Sequence, residues 1–239
     1  MGVGFEVWDD YRVALSADYV YPSLVEVGDV TSLPLTTGRF FMIRENKYKY
    51  TLVRSGLTKP SVAVSIGTNT AVCCMKHDFT DGTLTMEIVC WSRPDPETMY
   101  FLIFDSPKTN PYGLAMFTAK GELVSDCSNR MLYPVAVVDY TIEENTINIG
   151  TPYSKALVFY GAANFKEISR YENANPVVWA VASYFNLYYR SPTTANLRFF
   201  SETVISKYSN SPPPEAEVGL CLLGAPPLLI DITGFIPGK

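Results

Sequence analysis

Leu84-Thr85-Met86-Glu87-Ile88-Val89-Cys90 decides the fold class. Leu84, Met86, Ile88 and Cys90 alternate with Thr85, Glu87 and Val89. Successive side chains of a strand point to opposite faces, so this spacing predicts a β-strand with one face in a core. The same rhythm recurs on both sides of it. Val62, Val64 and Ile66 alternate with Ala63 and Ser65. Phe5 and Val7 precede a turn at Asp9-Asp10, and Val13 and Leu15 follow it. Leu114 and Met116 precede a turn near Ala119-Lys120-Gly121, and Leu123 follows. The runs Tyr100 to Phe104 and Ala156 to Tyr160 are apolar without a break, the pattern of strands buried on both faces.

Helices are disfavoured. The 15 Gly and 17 Pro leave few windows of helical length untouched. In a helix interior these residues cost about 1 and about 3 kcal/mol respectively. The best helical stretch, Val177 to Tyr189, is aromatic and β-branched and has no cap, so it too predicts strands. Short strands punctuated by turns indicate sandwiches or a barrel.

Composition bounds the function. Of 239 residues, 47% are hydrophobic and 18% charged, enough apolar material for a substantial core and too much for a disordered chain. The net charge of −5, with no basic run, argues against nucleic acid as a partner. A single histidine, His77, argues against a Ser-His-Asp site or a multi-histidine metal centre. The first ten residues hold neither a basic region nor a long apolar stretch, so no signal peptide is expected there. The longest apolar stretch, Val218 to Ile232, is interrupted by Pro226-Pro227, and no membrane insertion is expected. The five cysteines (Cys73, Cys74, Cys90, Cys127, Cys221) are odd in number and lack C-x-x-C spacing, which argues against a disulfide framework. In a strand, the vicinal pair Cys73-Cys74 sends one thiol into a core and its neighbour to the opposite face.

The chain echoes itself. Residues 4–22 (GFEVWDDYRVALSADYVYP) align with residues 113–134 (GLAMFTAKGELVSDCSNRMLYP). Gly4 meets Gly113, Phe5 meets Leu114, Val7 meets Met116, Trp8 meets Phe117, Leu15 meets Val124 and Ser16 meets Ser125. After a short insertion, Tyr21-Pro22 meets Tyr133-Pro134. Each copy reads as a hairpin with a Tyr-Pro exit. A weaker third echo runs from Gly219 to Asp231. The repeat predicts an all-β chain of two tandem β-sandwich-like domains, residues 1–108 and 109–210, parted at Ser106 to Pro111. A Pro-linked C-terminal extension, 211–239, follows Ser209 to Glu215 and forms a terminal hairpin packed on the second domain or on a partner.

The segment Tyr100 to Asp126 carries a resemblance. An apolar strand ends in Phe104-Asp105-Ser106-Pro107. After a linker come Tyr112-Gly113-Leu114, Phe117, Ala119, Gly121 and Leu123-Val124-Ser125. This resembles small tail proteins of long-tailed (siphovirus) bacteriophages, encoded beside the central tail fibre. The opening strand and turn of residues 4–15, and Ile230-Asp231-Ile232-Thr233-Gly234-Phe235 near the end, are similar to the same group. Residues 30–95 and 140–210 carry no such likeness. Val124-Ser125-Asp126, where an aromatic-Asp-Ser order is commoner, and the vicinal cysteines depart from the pattern. The resemblance implies a structural virion protein of the distal tail, held to the central tail fibre or tail-tip complex, with a possible role in binding a host surface receptor. It also implies a homo-oligomer, a trimer by the threefold symmetry common in tail tips.

Catalytic readings are weaker. His77 lies in Lys76-His77-Asp78 with no nucleophile elbow, and a solvated loop is expected for it. A glycan hydrolase would need two carboxylates about 5–10 Å apart. Asp9-Asp10, Asp95 with Glu97, and Glu143-Glu144 are the candidates, all in turn-like contexts. Asp78 to Asp81 lacks the spacing of a calcium loop, and no phosphate-binding glycine loop occurs. No enzyme activity and no cofactor is expected. The aromatic clusters point instead to interfaces. Tyr48, Tyr50, Tyr184, Phe185, Tyr188, Tyr189, Leu229 and Phe235 are the interface candidates. The competing reading is a free-standing carbohydrate- or protein-binding β-sandwich module.

Overall fold

A computed structural model of the chain describes residues 6–9, 12–16, 21–35, 47–92, 97–107, 115–118, 120–126, 130–138, 144–160, 165–172, 178–209, 221–222 and 226–238. The regular elements among the described residues are all strands, apart from one short 3-10 turn, Val30–Ser32. The strands are β1 (Glu6–Asp9), β2 (Arg12–Ser16), β3 (Ser23–Asp29), β4 (Lys47–Ser55), β5 (Ser61–Ser65), β6 (Thr70–Thr80), β7 (Thr83–Ser92), β8 (Tyr100–Asp105) and β9 (Ala115–Phe117). They continue as β10 (Leu123–Asp126), β11 (Pro134–Val137), β12 (Glu144–Asn148), β13 (Lys155–Phe159), β14 (Phe165–Glu172), β15 (Val178–Arg190), β16 (Asn196–Ser209), β17 (Cys221–Leu222) and β18 (Leu228–Asp231).

Two antiparallel sheets form a sandwich. The first runs β11-β18-β13-β5-β8-β3. The second runs β12-β16-β15-β6-β7-β4, with β14 and β17 branching from β15. The alternation read from sequence decides which side chains meet between them. Val62 and Val64 of β5, Phe101 and Ile103 of β8, and Leu157 and Phe159 of β13 project inward from the first sheet. Leu84, Met86, Ile88 and Cys90 of β7 project inward from the second. The intervening residues of the first sheet, among them Ala63, Leu102, Phe104, Ala156 and Val158, form a second core on its outer face. Ile232, Phe235 and Ile236 close that core, which is why Val62 to Val64, Phe101 to Phe104 and Ala156 to Phe159 are apolar without a break. Cys74 lies in the central core and Cys73 on the opposite face with Ala71, Val89 and Leu187, as the strand pattern requires. Burial pushes the Cys74 thiol up to about 12, so it is inert at neutral pH.

Local chemistry fixes the joints. Asp81 and Gly82 take positive φ (51° and 72°) and turn β6 into β7 by the two-residue hairpin that Asp-Gly favours. Asp78 to Asp81 is therefore a strand end and a turn. Gly28 lies under the ring of Phe101, which fills the space a side chain would need. Arg54 of β4 grips both carboxylate oxygens of Glu26 of β3, at 2.7–3.0 Å, across one open end of the sandwich.

Each half of the chain follows the same path. β3, β4, β5, β6, β7 and β8 visit the two sheets in the order that β11, β12, β13, β15, β16 and β18 repeat. Both sheets accordingly read alike from either edge: β3-β8-β5 meets β13-β18-β11, and β4-β7-β6 meets β15-β16-β12. β14 and β17 are additions to the second half. A bulge falls between Leu24 and Glu26 in β3, and another at the matching place between Pro134 and Ala136 in β11. Each half is led by a separate two-stranded hairpin, β1-β2 and β9-β10.

Three expectations need correction. The expected division at residue 108 is not a boundary between two sandwiches, because both sheets take strands from both sides of it and β5 pairs with β13. The expected extension is not a terminal hairpin: β18 sits inside the first sheet between β11 and β13, while β17 pairs with β14. The third echo is no third hairpin, since β18 occupies the place that β8 holds in the first half. Strand pairing also shifts the repeat register. Leu24 stands opposite Phe104, and Pro134 opposite Ile230, so Leu24 rather than Pro22 is the counterpart of Pro134. Of the expected linkers Ser106 to Pro111 and Ser209 to Glu215, residues 108–111 and 210–215 lie outside the described residues.

Candidate functional site

The aromatic interface candidates do not gather on one surface. Tyr50, Tyr188 and Leu229 are buried in the central core, so they do not form an exposed contact face. Strand alternation is the reason. In Tyr48-Lys49-Tyr50 both rings point inward, 6.3 Å apart, while Lys49 pairs with Glu87 at 3.3 Å. Burial raises the Tyr50 hydroxyl above its ordinary pKa. Tyr188 packs against Phe159, with ring centres 6.2 Å apart. Tyr48 is half-buried at the margin of the core, and Tyr189 packs on the cluster around Cys73. Phe235 is half-buried over Phe104, with the Arg130 guanidinium 5.3 Å from its ring centre. Tyr184 and Phe185 lie in β15 opposite Thr203 and Glu202 of β16, and their side chains fall outside the described ones.

Among the carboxylate candidates, Glu97 has a described side chain, and it holds a loop. Glu97 fills the space under Gly67 and accepts the N–H groups of Thr68 and Asn69 at 2.8 Å and the Tyr153 hydroxyl at 2.7 Å. Burial opposes its ionisation, yet the Tyr153, Asn69 and Thr68 donors hold it below the usual carboxylate range. Asp10, Asp95 and Glu143 lie outside the described residues. Asp9 ends β1 and Glu144 begins β12. Among the described residues no group of three His, Cys, Asp or Glu is placed to hold a metal ion.

His77 is not in a loop. It lies in β6 opposite Met86, half-buried, and its Nε2 is buried without a hydrogen-bond partner among the described residues. Burial lowers its pKa, against smaller opposing contributions from its own backbone and from Asp78. The sign of the pH effect follows. Below pH 6.5 the unfolded chain binds a proton that the folded chain resists, so stability falls as pH drops below 6.5. The only imidazole of the protein is expected to titrate below 6.5 in an NMR titration of the folded chain. A midpoint at or above that value would refute the buried placement.

What the sequence did not single out is a strip at one edge of the first sheet. Tyr133 (47% exposed), Val135 (41%) and Val137 (59%) are uncovered at and just before β11. The four strands that end the main runs differ in charge. β4 carries Lys47, Lys49 and Arg54, β12 carries Glu144, and β3 carries Glu26 and Asp29. β11 reads Pro-Val-Ala-Val and carries none. Where β3 places Glu26 opposite Ile103, β11 places Ala136 opposite Leu229. Charged residues on an edge discourage pairing with another chain, and their absence permits it. Such a strip offers apolar surface and backbone hydrogen bonds, the currency of association rather than turnover. The signal was present in the uncharged run Tyr133 to Val138, which the hairpin reading treated only as an exit.

Comparison with known proteins found no matching family model, no matching curated protein and no matching solved structure.

Proposed function

We propose that this chain is a structural, non-enzymatic component of the distal tail of a long-tailed bacteriophage. It is held to the central tail fibre or tail-tip complex and to further copies of itself, and it contributes to host adsorption. The observation that carries the reading is the uncharged, uncovered edge at Tyr133 to Val137, a surface suited to association. The sequence likeness at Tyr100 to Asp126 supplies the setting. The net charge of −5 fits a protein partner better than nucleic acid.

The test is antibody-gold labelling of purified virions from the source of the chain. Label at the distal tail is expected. Intact particles without label, given an antibody that binds the native protein, would overturn the reading in favour of a free-standing binding module.

A further inference from the structure

We infer that β11 pairs with β11 of a second copy, antiparallel, about a two-fold axis near Ala136, joining two first sheets into one continuous sheet. The inference deepens the reading above and rests on it only for the setting in which such pairs are used.

The edge is open. β11 is bonded on one side to β18, and among the described residues no strand pairs with its other side. The Val138 N–H is donated to the Pro227 carbonyl at 2.9 Å. Alternation along a strand therefore turns the Val137 N–H and carbonyl away from β18, toward the free side. Pro134 supplies no donor, which limits the pairing to the few residues after it.

A second copy is the occupant that charge favours. Antiparallel self-pairing brings a strand against its own residues, so any charge near the axis would meet its like. Tyr133 to Val138 contains no charge to repel its image. The other three edges fail this condition: self-pairing of β4 would set Lys and Arg against one another, and that of β12 or β3 would oppose carboxylates. Pairing about Ala136 sets Val137 beside Val135 of the other copy and covers both. The strip is small against the roughly 800 Å² per partner of a stable interface, so the pair forms reversibly and depends on concentration. A two-fold contact joins chains in pairs; the threefold arrangement implied by the resemblance would need a different contact.

The test uses the purified full chain. Sedimentation velocity over a wide concentration series is expected to show mass rising from one chain toward two. Hydrogen exchange over the same series is expected to slow at the Val137 amide and stay constant at Val25, an exposed valine on the opposite edge strand β3. Val137→Lys should weaken the association at least about tenfold, by removing the apolar contact and placing a like charge near its image. Val25→Lys should leave association unchanged, and both variants, altered at exposed positions, should keep the far-ultraviolet circular dichroism of the parent. A chain that stays single throughout, association indifferent to Val137→Lys, or a trimer without slowed exchange at Val137 would each overturn the inference. These readouts need no virion, so their failure is separate from a failure of the tail reading.

Discussion

Phe101→Ala is expected to lower the free energy of unfolding by about 3–5 kcal/mol, the range for removing a buried aromatic ring. Phe101 is fully buried in the central core, its ring covers the bare backbone of Gly28, and the Arg54 guanidinium lies 5.5 Å from its centre. Gly28 has no side chain with which to fill the space left behind. A domain is stable by only about 5–15 kcal/mol in total, so the variant should unfold at much lower denaturant. Equilibrium denaturation of both proteins measures the difference. A loss below about 1 kcal/mol would mean that the ring does not pack between β3 and the central core.

Asp105→Ala is expected to cost about 2–3 kcal/mol, and Asp231→Ala less than about 1 kcal/mol. The two residues hold matching places at the ends of β8 and β18, so topology alone would predict equal effects. Their surroundings differ. Asp105 is 2% exposed and accepts the N–H groups of Thr58 and Lys59 at 2.6–3.1 Å, tying the loop before β5 to the sheet. The Asp231 side chain is 42% exposed; it accepts one local N–H, from Thr233 two residues on, at 2.8 Å, and meets Lys155 at 2.8 Å, contacts that water and salt weaken. Charge-assisted bonds to backbone donors at a buried carboxylate are the stronger kind. Thermal unfolding of the two variants side by side checks the contrast. Equal losses would show that the loop before β5 does not depend on Asp105.

The strands were legible because each is a local pattern. Val62 to Ile66, Leu84 to Cys90 and Tyr100 to Phe104 carry their burial in their own spacing, and the structure buries the faces that spacing selects. The two leading hairpins were legible in the alternation on either side of their turns. How the halves combine was not. Pairing of Ala63 with Val158 joins residues far apart in sequence, and no local pattern records that β5 meets β13 rather than closing a sheet within its own half. The aromatic clusters misled for a related reason. Tyr48-Lys49-Tyr50 and Tyr188 read as mixed surfaces when counted by composition, but a strand sorts alternate residues, and these rings fell on the inner side. The apolar edge at β11 was hidden by the opposite effect: Val135 and Val137 look like core residues until the sheet is seen to end there.

The shared sheets make the order of synthesis matter. Residues 61–65 leave the ribosome well before their neighbour at 155–159 exists, an interval of roughly 5–20 s at ordinary translation speed. Throughout that time one side of β5 has no partner in its own chain, and the sheet edge is apolar. Two nascent chains on the same message each carry that edge, and an unpaired apolar strand edge is a template for another chain. Mispaired halves of this kind would persist because their release requires opening a buried sheet. Expression at lowered temperature, or with slow codons clustered after residue 160, should then change the yield of correctly folded protein more than it changes the yield of a sandwich whose halves close independently.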